Sequence, residues 1–113
     1  MAIITSMADD RDMTVLHQPR VAWDGALAMV RASRGRDFLD YSWRVRDLLG
    51  QPVYTELVAT RDRLVAADFR TGGDRSTGDL EAGRWRVRLE ELLHDRPELA
   101  RAVVELTARA REA

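Results

Sequence analysis

From Val21 to Ala110 the apolar residues recur every three or four positions, and nowhere do they alternate with period two over a useful length. Side chains three or four apart share one face of an α-helix, whereas a half-buried strand needs alternation. This chain is written for helices. Trp23, Ala26, Leu27 and Val30 form a first stripe, and Gly35 ends or weakens that helix. Phe38, Tyr41, Val45, Leu48 and Leu49 form a second, closed by Gly50 and then Pro52. Pro52 opens a third helix, where a missing backbone N–H costs nothing, with Val53, Leu57 and Leu64 at its core and Val58 and Val65 beside them. The breaker-rich stretch of residues 70–78 reads as a loop, with Ser76 or Thr77 as the next N-cap. Trp85, Leu89, Leu92 and Leu93 line a fourth helix. Asp95 and Glu98 have the spacing of a capping box ahead of Leu99, Val103 and Leu106 in a fifth.

The expected fold is an all-α, compact antiparallel bundle of four to five helices, over about 20–34, 37–49, 52–69, 77–94 and 97–111. Residues 20–113 make a single domain, and residues 1–19 a flexible or loosely packed N-terminal segment with methionines at 1, 7 and 13. At 113 residues, with 45% hydrophobic and 33% charged, the chain is large enough to bury a core without staples. It contains no cysteine, which rules out disulfides and thiolate metal sites. No apolar run approaches the ~20 residues that span a bilayer, and no basic leader with an apolar core opens the chain. The expectation is a cytoplasmic protein without membrane contact.

Lysine and asparagine are also missing, so all 18 basic residues are arginine. Such usage fits a GC-rich, bacterial coding bias. With 19 acidic residues the net charge is −1, and no global field draws in a polyanion.

The tetrad Trp-Arg-Val-Arg occurs at residues 43–46 and again at 85–88. At about 100° per residue the two copies face opposite ways. Trp85 falls with Leu89, Leu92 and Leu93, whereas in the first copy Val45 takes the core side and Trp43 points away. A true repeat buries equivalent positions, so the echo reflects an arginine-rich composition rather than duplication.

No catalytic constellation emerges. Residues 71–78 lack the lysine and the preceding strand of a phosphate loop. Glu91 and His94 have the Glu-x-x-His spacing of carboxylate metal sites, but both fall opposite the core stripe. His17 has no partner of recognisable spacing, and Asp9, Asp10 and Asp12 read as a solvated acidic knot. The residues imply no cofactor, no metal, no small-molecule substrate and no enzyme. The expected function is a helical protein-interaction or regulatory module, self-association included, with Trp43, Arg36, Arg44 and Arg46 as partner-binding residues; tryptophan and arginine carry interface energy. The alternative is an arginine-rich nucleic-acid-binding regulator using Arg31, Arg34, Arg36, Arg44 and Arg46. Phosphate-led binding of that kind weakens with salt, with a log–log slope of roughly −0.9 per phosphate neutralised on duplex DNA.

Overall fold

The computed structural model describes residues 17–73 and 75–112. The acidic knot at Asp9, Asp10 and Asp12, and the expectation of a loose segment over 1–19 as far as residue 16, lie outside the described residues. Among the described residues there are five α-helices: α1 (Gln18–Ser33), α2 (Phe38–Leu49), α3 (Gln51–Thr71), α4 (Arg75–Asp95) and α5 (Ala100–Glu112). A single 3-10 turn, Pro97–Leu99, precedes α5, and no strand occurs among the described residues. They form a compact antiparallel bundle.

The first helix sits at the centre, packed chiefly on α4 and α5. Its buried face runs through Ala22, Gly25, Ala26, Met29 and Ser33. This corrects the sequence reading, which put Trp23 and Leu27 in the core; each is 41% exposed. The true face is rotated roughly 100° round the helix from the expected one. Small side chains win because two helices must approach α1 closely. A Cβ on Gly25 would lie 2.7 Å from Val103 Cγ1 and 3.0 Å from Leu89 Cδ1. Ser33, buried on the same face, donates its hydroxyl to the Met29 carbonyl at 2.8 Å and so leaves no unsatisfied group.

The second helix buries Phe38, Tyr41, Ser42, Val45 and Leu49 and packs chiefly on α3. Gly50, at φ +102°, makes the break between them, and its N–H donates to the Arg46 carbonyl at 3.0 Å. Val53, Leu57, Thr60, Leu64 and Ala67 then line the inner side of α3. Val65, expected beside them, is exposed. Gly72, in the left-handed region at φ +77°, ends the helix.

Two boundaries differ from expectation. The loop of residues 70–78 shrinks to a few residues, because α4 begins at Arg75 and carries Ser76, Thr77 and Gly78 within it. Gly78 lies against Arg34, whose Nη1 is 2.8 Å from where a Cβ would be. The capping box is not formed either. Asp95 closes α4, and Glu98 instead accepts from Arg96 Nε at 3.1 Å. Ala82, Trp85, Leu89 and Leu93 complete the core from α4, and Ala100, Val103, Leu106 and Ala110 from α5. Leu48, Leu92 and Leu99 are partly buried against it.

Candidate interaction surfaces

The outer side of α2 carries Leu39 and Trp43, one turn apart and 59% and 49% exposed. Its inner side is already filled by Phe38, Tyr41, Val45 and Leu49, so the pair has no place in the core. Arg36, in the turn just before α2 and three residues ahead of Leu39, is exposed and makes no ion pair with another described residue. The other two expected partner residues are engaged within the fold. Arg44 donates from Nε to Glu105 at 2.9 Å, with a second guanidinium nitrogen on the same oxygen, and so ties α2 to α5. Arg46 lies over the Tyr54 ring of α3, 5.7 Å from its centroid.

The basic patch around residues 31–36 resolves in the same way. Arg34 reaches α3 with two parallel bonds, Nε to Asp68 at 3.0 Å and Nη2 at 2.9 Å. Hydrogen bonding to Asp68 raises the Arg34 pKa, and the same bonds hold the Asp68 carboxyl below its ordinary value. Arg61 comes from α3 to the end of α1, donating to the Ser33 carbonyl at 2.9 Å and the Gly35 carbonyl at 3.4 Å. Its guanidinium stacks on Phe38, 4.7 Å from the ring centroid. These two arginines build the corner between α1 and α2. Arg31 and Arg36 remain exposed and unpaired among the described residues.

The lowered Asp68 pKa gives a pH signature. Its contribution to stability is present above the unfolded aspartate value of about 3.9 and is lost as pH falls through the lower folded value. Asp68→Asn should therefore be less stable than wild type at pH 7, and the gap should close in acid below that range. Paired denaturant titrations at neutral and acid pH measure it. A gap that stays constant into acid would show that the Arg34 pair contributes nothing.

A further arrangement was not visible in the sequence. Glu81 of α4 is 1% exposed and faces α3. Arg63 clamps it, Nε to Oε2 at 2.7 Å and Nη2 to Oε1 at 2.9 Å, and also reaches Glu56 at 3.3 Å. Arg88 takes the other oxygen of Glu56 at 3.2 Å, and Arg84 stands 3.7 Å from Glu81. The hydrogen bonds to Glu81 push the Arg63 pKa up. Next to this network the Trp85 indole donates to the Thr60 hydroxyl at 2.9 Å, which in turn donates to the Glu56 carbonyl at 2.9 Å. Local spacing alone reads Glu81 as one of many surface carboxylates. The available signal was its place four residues before Trp85 and three after Gly78, on the core face.

Glu81 has both oxygens occupied by Arg63, which suits a clamp between helices rather than an acid or base that must exchange a proton. Outside the clamp, a shallow groove of about 700 Å³ runs along α4, lined by Glu56, Leu80, Gly83, Arg84, Val87 and Glu91 among others. His94, Glu91 and His17 are exposed. Among the described residues no three His, Asp or Glu side chains converge as metal ligands, and no helix is long and apolar enough to cross a membrane. Comparison with family models, with curated proteins and with solved structures returned no match.

Proposed function

We propose that this protein is a non-enzymatic helical interaction module of the cytoplasm, regulatory in kind, that docks the outer face of α2 on a protein partner. One observation carries the reading: Leu39 and Trp43 stand exposed, one turn apart, on a helix whose opposite face is already packed. A half-exposed tryptophan beside a leucine and an unpaired arginine has the composition of an interface hot spot. Arg36 supplies the arginine. Arg44 and Arg46 hold α2 in place beneath it.

The reading predicts that Leu39→Ser/Trp43→Ala leaves stability within about 1 kcal/mol of wild type, as surface changes do. The same variant should lose a partner that the wild-type protein retains in side-by-side affinity capture. A variant that captures the same partner equally well would remove α2 from the reading. The alternative contact with nucleic acid has less support. Arg34 and Arg44 are occupied by carboxylates and Arg46 lies on Tyr54, so of the five expected arginines only Arg31 and Arg36 are unpaired among the described residues.

A further inference from the structure

The side of α4 directly opposite Trp85 and Leu89 is apolar too. Leu80, Gly83 and Val87 stand at i, i+3 and i+7, one stripe turned away from the core. Leu80 is 56% and Val87 47% exposed. Gly83, between them, has nothing within 4 Å of where its Cβ would be. Glycine in a helix interior is less stable than alanine there, and no contact inside this protein requires it. What a missing side chain permits at such a position is the close approach of another backbone from outside. The stripe lies within the groove on α4 and has no cover among the described residues.

The charges beside the stripe indicate what fits it. Arg75, Asp79, Arg86 and Glu90 fall within about 60° of one another round the helix, along one flank of the stripe. Their signs alternate. Arg75 and Glu90 are equidistant from the midpoint between Ala82 and Gly83, and so are Asp79 and Arg86. Rotated by a two-fold axis through that midpoint, the row meets its own copy with every charge facing its opposite. In a parallel two-fold pair the row would instead lie across from the other flank and would not meet its own copy. Arg75 and Asp79 have no ion-pair partner among the described residues, while Arg86 and Glu90 bond each other at 3.1 Å. The other flank carries Arg84, turned toward Glu81, and Glu91.

We infer that α4 is a self-association helix, across which two copies of this chain pack antiparallel. Gly83 of each copy sits at the crossing, and Val87 of each packs beside Leu80 of the other. Asp79 and Arg86 pair across the axis, which makes the contact isologous and closed. This surface is separate from Leu39 and Trp43 on α2, and the inference does not depend on that face.

Sedimentation velocity over a concentration series tests it. The wild-type protein should show a monomer–dimer equilibrium. Asp79→Arg and Arg86→Asp should each weaken it at least tenfold, because each sets like charges together at two symmetry-related places. An equimolar mixture of the two variants should recover dimer, since every altered charge then faces its opposite. Gly83→Leu should block the crossing. Gly83→Ala should weaken the dimer while raising the melting temperature of the dilute monomer. All these positions face away from the core, and circular dichroism checks that each variant keeps its helices. Leu39→Ser/Trp43→Ala should leave the dimer unchanged. A strict monomer at every concentration would overturn the inference, as would dimer that persists in Gly83→Leu or a mixture that stays monomeric.

Discussion

Arg63→Leu should lower the free energy of unfolding by about 3 kcal/mol, the low end of the range for breaking a buried ion pair. The substitution leaves the Glu81 carboxylate, 2% exposed in its side chain, without either of its short hydrogen bonds. Arg84, 3.7 Å away, softens the loss and sets the low end. Glu81→Leu should cost less, because Arg63 is 38% exposed and retains Glu56 and water as partners. The double variant Arg63→Leu/Glu81→Leu should lie close to wild type, since no buried charge is then left unpaired. Urea midpoints for the four proteins make the complete cycle. An Arg63→Leu protein within 1 kcal/mol of wild type would mean that water replaces the clamp.

Trp85→Ala is expected to cost about 4 kcal/mol, within the range for removing a large buried aromatic. Trp85 is among the largest fully buried side chains and sits where α4 meets α3. Against a typical stability of about 5–15 kcal/mol, such a loss brings a domain of this size near the unfolding threshold. The Trp85–Thr60 bond separates packing from hydrogen bonding. Thr60→Val keeps the shape and strands the indole N–H, at a cost of about 1–2 kcal/mol. Thermal melts of both variants give the comparison, and equal losses would show that the hydrogen bond, not the volume, dominates at this site.

These two sites mark where a sequence stops being legible. Helical periods are local, and the five helices stand in the residues as three- and four-spacing with Gly50, Pro52 and Gly72 as punctuation. Trp43 is legible for the same reason, since the stripe opposite it is complete without it. The face of α1 is not. Hydrophobicity ranks Trp23 and Leu27 above Ala22, Gly25 and Ala26, yet the demand at α1 is for closeness, which only Val103 and Leu89 on other helices reveal. Charge partners fail likewise. Arg34, Arg44, Arg61 and Arg63 all have acidic or polar neighbours in sequence, but Asp68, Glu105, the Ser33 carbonyl and Glu81, which they respectively hold, lie 18 to 61 positions away. A breaker count likewise overextends the loop after α3, because Gly78 lies inside α4 with Arg34 against it.

The central position of α1 also orders events in time. Among these five helices α1 comes first in the chain, and its buried face is covered by α4 and α5, the last two of the five. Its end is held by Arg61 and Arg34, which need α3. Until both α4 and α5 have followed, the face of Ala22, Gly25, Ala26 and Met29 is only partly covered. A nascent copy of this domain therefore carries an open seam until α4 and α5 have followed α1. Closure of this seam is set by contacts between helices distant in the sequence, which carry a larger loop-closure cost than contacts between neighbouring helices.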